Sequence, residues 1–123
     1  MSVAPEDRSA LVRGARLFDR GEFFEAHDAW EERWRVTPVE TERRLLQGLI
    51  QIAAALHKLL VMGSPEAAAR LFARGLAKLD ASPEDCAAEH GLDLVAFRDG
   101  IRRCAADLEA QSFDRAAVPR MLP

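Results

Sequence analysis

No stretch of this chain alternates apolar and polar residues with period two. A half-buried strand carries that alternation, because successive side chains point to opposite faces of a sheet. The chain is instead helix-forming sequence, rich in Ala, Leu, Glu and Arg, sparse in β-branched residues and without Tyr. Proline and glycine cut it at intervals. Pro5 opens a first helix expected to reach Arg20, with Gly21 as the glycine that ends it. A second is expected over 22–36. Thr37-Pro38-Val39-Glu40 has capping-box spacing with proline at the first helical position, which predicts a third helix to about Met62, closed by Gly63. Ser64-Pro65-Glu66 repeats the signal for a fourth helix to about Leu79. Ser82-Pro83-Glu84-Asp85 starts a short fifth that stops near Gly91, and a sixth covers about Asp93 to Ala110. The expected fold class is all-α, a single compact bundle of about five to six helices spanning residues 1–123. Its ordered core is expected over about 5–111, and the Pro-containing tail is expected to be loose.

Composition narrows the function classes. A length of 123 residues fits one domain, and 49% hydrophobic residues support a core. Charged residues at 30% break every apolar run well short of the roughly 20 residues of a membrane span. The start, MSVAPEDRSA, lacks the apolar segment of a secretory signal, so a cytoplasmic location and no membrane partner are expected. Net charge is −3, and the densest basic cluster (Arg33, Arg35, Arg43, Arg44) is interleaved with Glu31, Glu32, Glu40 and Glu42. Such mixing makes solvated helical pairs rather than a phosphate track, so no nucleic-acid partner is expected. Cys86 and Cys104 have no CxxC neighbour and read as free buried thiols. No Gly-x-Ser-x-Gly elbow or Gly-rich phosphate loop occurs.

A weak internal repeat aligns the ten residues from Gly21 with the ten from Gly63, matching Gly21 to Gly63, Ala26 to Ala68 and Trp30 to Phe72. The first copy resembles the second helix of a tetratricopeptide repeat, with Pro38 where that repeat's closing proline falls, although Arg33 stands where a small residue is expected. Two copies are fewer than a solenoid needs, so the expectation is a weakly tetratricopeptide-like hairpin inside a bundle.

At about 100° per residue the second helix gathers Phe23, Trp30 and Trp34 on one aromatic face, with Phe24 at its edge. Glu25, Asp28, Glu32 and Arg35 fall opposite, toward water. His27 and Glu31 break the division, lying four apart on the aromatic side, where a carboxylate needs a partner. His27, a donor from another helix, a water or a metal ion would each serve. The third helix places His57 among Leu46, Ile50, Ala53 and Leu60, and carries Gln47 and Gln51 on a polar stripe flanked by Gly48, Ala54 and Ala55. The candidate polar pocket is therefore His27, Glu31, Gln47, Gln51 and His57. Imidazole and carboxylate suit zinc, manganese or iron, which makes His27, Glu31 and His57 candidate ligands of a divalent metal. The HExxH signature is absent, and no second His-Glu pair follows as in di-iron bundles.

Phe18-Asp19-Arg20-Gly21-Glu22-Phe23-Phe24-Glu25-Ala26-His27-Asp28-Ala29-Trp30-Glu31-Glu32-Arg33-Trp34, with Leu46-Gln47-Gly48-Leu49-Ile50-Gln51-Ile52-Ala53-Ala54-Ala55-Leu56-His57, resembles the signature of the domain-of-unknown-function 309 family. The resemblance implies a small all-helical domain and carries the family's generic label of predicted metal-dependent hydrolase. It places the family's histidine and acidic residues at His27, Asp28 and Glu31 and its glutamines at Gln47 and Gln51, with Asp28 standing where Glu is usual. Two functions remain in view. One is a structural or protein-interaction module, with a protein partner or a second copy as its target, in which the polar cluster is buried architecture. The other is a metal-dependent hydrolase using the His27/Glu31 cluster.

Overall fold

Glycine in the left-handed region ends three of the helices, at Gly21, Gly63 and Gly91, where φ is +80°, +65° and +77°. At Gly21 the turn is a complete Schellman motif: Gly21 N–H donates to Phe18 O and Glu22 N–H to Leu17 O, both at 2.9 Å. A computed structural model describes residues 5–123, with no account of the side chains of residues 5–9. Residues 1–4, which begin the segment expected not to be a secretory signal, lie outside the described residues. The helices are α1 (Pro5–Asp19), α2 (Phe23–Val36), α3 (Glu40–Leu60), α4 (Pro65–Asp80), α5 (Glu84–Ala88) and α6 (Leu94–Glu109), followed by one 3₁₀ turn at Arg115–Ala117. No strand occurs among the described residues. The fold is an all-α bundle, and none of these helices is long and apolar enough to cross a membrane.

One start differs from expectation. Thr37-Pro38-Val39-Glu40 is not a capping box: α3 begins at Glu40, and no side chain caps Val39. Thr37 precedes a proline and takes the extended conformation that such a residue prefers (φ −69°, ψ 130°). Its Oγ1 accepts from Val39 N–H at 3.3 Å, closing a turn ahead of the helix. Asp93 does cap α6, accepting from Ala96 N–H at 3.0 Å.

α1 to α4 pack in succession, each antiparallel to the one before it. The α1–α2 contact is built on Trp30, which is fully buried and donates its indole N–H to Leu11 O at 3.0 Å. Gly14 makes room for it, since a Cβ there would lie 2.2 Å from Trp30 Nε1. α3 and α4 cross at Gly48 and Gly75, where a Cβ on Gly75 would come within 3.0 Å of Gly48 O. The repeat aligned in the sequence has structural content: Ala26 and Ala68 are equally buried, as are Trp30 and Phe72. α6 packs on α4 and returns to α1 through Phe97, whose ring meets Phe18 edge-on at 5.4 Å.

The C-terminal segment is not loose. Asp19, nearly buried at the end of α1, accepts from Met121 N–H at 2.6 Å and Leu122 N–H at 3.0 Å. Met121 is buried, and Pro119 sits over Gly100, where a Cβ would lie 2.7 Å from its ring. A proline-containing stretch can dock in this way because it needs few main-chain partners, and Asp19 supplies two of them.

Candidate functional site

α2 presents two different surfaces. Glu25, Asp28, Glu32 and Arg35 are exposed, as the helical wheel predicts. Phe23 and Trp30 are core, packed around Phe18 edge-on and tilted, with ring centroids at 5.0 and 6.2 Å. Trp34 is half-buried at the edge, where the Arg43 guanidinium lies 4.6 Å over its ring and Arg43 Nη1 donates to Trp34 O at 2.7 Å. The aromatic face is therefore structural over two of its three residues.

The polar cluster lies on the flank of α2 that meets α3, and it is half-open rather than buried. His27 is 26% exposed and Glu31 29%. The two His27 ring nitrogens face separate carboxylates: Nε2 is 3.3 Å from Glu31 Oε2, and Nδ1 is 3.4 Å from Asp28 Oδ1. Glu31 also pairs with Arg35, one turn on. The carboxylate that the wheel set against aromatic rings is thus satisfied within its own helix.

The partners from α3 are only partly brought in. Phe24, 51% exposed, stands between the two histidines, with its ring 6.1 Å from His27 and 5.3 Å from His57. His57 sits at the edge of the core, half-buried. The contacts Phe24–His57, Arg33–Glu42 and Trp34–Arg43 fix the antiparallel register of α2 on α3, and that register sets His27 level with Gln51 and Glu31 level with Gln47. Both glutamines are half-buried, yet neither bonds His27 or Glu31 among the described residues. Gln51 Oε1 is buried without a hydrogen-bond partner.

These residues do not fit a metal ion. Among the described residues no three His, Cys, Asp or Glu side chains are grouped to hold one. The candidate trio fails because the Phe24 ring separates His57 from His27, and because Glu31 is already committed to His27 and Arg35. Metal sites need donors from three or more side chains converging on one point, and the described donors around His27 are not so grouped.

Two polar features were not foreseen. Arg33 Nε donates to Glu42 Oε1 at 2.7 Å across the Thr37–Pro38 turn, with the Glu42 side chain 8% exposed. The other is the Asp19 clamp on the C-terminal segment. Glu42 shapes the chemistry nearby: burial pushes the Cys86 thiol up, and the Glu42 charge adds to the shift. Burial also raises Cys104, with Asp107 adding to it. Both thiols are free, and both are held in the unreactive protonated form.

The family described as Domain of unknown function (DUF309) matches residues 11–71, about half the chain, a span that includes α2, the whole of α3 and the polar cluster between them. No curated protein matches the chain. The chain belongs to the DUF309 family.

Proposed function

We propose that this chain is a cytoplasmic structural and interaction module that offers the α2–α3 face around Phe24 to a protein partner or to a second copy of itself. The observation that carries this reading is Phe24, a large apolar ring left 51% exposed between two half-buried histidines. Val61 stands one turn beyond His57 and is 69% exposed, and Met62 beside it is also exposed. An aromatic anchor with an apolar neighbour and a rim of His and Glu has the composition of a contact surface. Metal-dependent hydrolysis draws no comparable support, since it needs three ligands around an open position and the described donors are not so grouped.

The test pairs association with metal content. Phe24→Asp and Val61→Asp are expected to fold as the parent does and to lose self-association or partner capture, while Val36→Asp, equally exposed at the opposite end of α2, keeps it. Sedimentation and cross-linking read the outcome. Mass spectrometry of untagged protein is expected to show metal well below stoichiometric. Near-stoichiometric zinc, manganese or iron, lost in His27→Ala, would overturn the reading in favour of the hydrolase.

A further inference from the structure

We propose that the cleft between the α1–α2 turn and the C-terminal segment binds the phosphate group of a phosphomonoester through Arg20, Arg115 and Arg120. The cleft is a cavity of about 190 Å³ whose lining includes these three arginines and the apolar side chains of Phe18, Phe23 and Val118. A second opening, lined by Arg16, Arg20 and Arg120, adjoins it and shares Asp19.

The site is assembled by the fold. Asp19, its side chain only 5% exposed, spends both oxygens on Met121 and Leu122 N–H, and this holds the C-terminal segment against the end of α1. Pro119 seated on Gly100 fixes the same segment from the α6 side. Arg115 and Arg120 are thereby carried to Arg20 from the far end of the chain. Arg115 lies over the turn itself, where a Cβ on Gly21 would meet its Nη2 at 2.8 Å.

The charge at this place is not accounted for by structure alone. Chain carboxylates outnumber cations by three, yet three arginines line one small cavity beside a single carboxylate that already accepts two N–H donors. Arg120 Nη2 approaches Asp19 only to 3.8 Å, and Arg20 bonds Glu22 at 2.9 Å. Arg115 has no ion-pair partner among the described residues. The Schellman turn already satisfies the Leu17 and Phe18 carbonyls at the end of α1 without the arginines. Three arginines lining one cavity match the several oxygens of a phosphate dianion. Val118 and the edges of Phe18 and Phe23, which share the lining, suit the organic part of the ester.

Calorimetric titration of the full chain with phenyl phosphate at fixed ionic strength tests this. Saturable binding is expected for the parent and for Arg74→Gln, an exposed arginine on α4, with affinity about ten-fold lower or worse in Arg20→Gln and in the Arg115→Gln/Arg120→Gln double variant. Arg20→Gln leaves the Asp19 clamp in place, so its loss reports the site even if the double variant frees the segment. Co-sedimentation with phosphatidylcholine vesicles containing phosphatidic acid separates the sources: arginine-dependent vesicle binding assigns a lipid headgroup, and binding of phenyl phosphate without it assigns a free ester. No saturable binding to either probe, or an equal loss in Arg74→Gln, overturns the proposal.

Discussion

The two sides of α2 are made from similar residues and do opposite things. On the side facing α1, Trp30 has its ring buried, its N–H bonded to Leu11 O and its bulk admitted by Gly14. On the flank facing α3, Phe24 and His27 lie one turn apart with their surfaces open to about a quarter or more, and Gln51 nearby leaves a buried acceptor unmatched. The first side is closed in shape and in hydrogen bonding, as a core contact must be. The second has apolar and polar groups without the matching surface. The contrast separates what holds the chain together from what it can offer to another molecule.

Breaking the closed side should have the largest effect. Trp30→Ala removes the ring and the indole's hydrogen bond to Leu11 O, for an expected loss of about 3–5 kcal/mol in urea unfolding. Trp30→Phe keeps most of the bulk and should cost less, about 1–3 kcal/mol, from the smaller ring and the lost indole hydrogen bond. A Trp30→Ala protein as stable as the parent would mean that the aromatic side is not the core contact described.

The Arg33–Glu42 pair comes next. Arg33→Met strands a nearly buried carboxylate, with an expected loss of about 3 kcal/mol. The double variant Arg33→Met/Glu42→Leu should recover most of it, because the stranded charge goes with its partner. Failure to recover would show that both side chains serve through packing rather than through their pairing.

His27→Ala should do far less. The His27–Glu31 contact is an i,i+4 pair with both partners more than a quarter exposed, worth about 0.5 kcal/mol. A loss above roughly 1 kcal/mol in thermal melts, with or without metal, would return the cluster to the buried architecture that the sequence suggests.

That difference marks what a sequence of this kind reveals. Gly21, Gly63, Gly91, Pro65 and Asp93 act on their own neighbours, so each boundary they set is readable in place. The aromatic face of α2 and its exposed opposite are readable for the same reason, since helical period alone sorts them. The fit of Gly14 to Trp30 and of Gly48 to Gly75 depends on which helix lies opposite, which no local pattern carries. Asp19 finds its partners more than one hundred positions away, so the docked C-terminal segment was invisible. The wheel sets His27 and Glu31 on the aromatic side, whereas they lie on the flank toward α3, apart from the buried Phe23 and Trp30. It could not say that this flank stays half-open, because openness is set by how α3 lies across it.

The thiols supply the smallest and sharpest check on the closed interior. Burial raises both Cys86 and Cys104 above the ordinary value of 9.0, so the folded chain keeps these protons to higher pH than the unfolded chain does. Above the ordinary thiol value the unfolded state binds fewer protons than the folded state, and stability must fall as pH rises through that range. The contribution is fully present below it. Urea midpoints measured at about pH 8 and about pH 10 should therefore fall further in the parent than in Cys86→Ala/Cys104→Ala, which lacks the linked protons. A disulfide reagent at neutral pH should modify Cys86, the less buried thiol, before Cys104, and both much more slowly than in urea. Equal midpoint losses in parent and variant, or fast native labelling of Cys104, would mean that the α6 core breathes on the timescale of the reagent. The contrast with the open α2–α3 flank would then be one of degree.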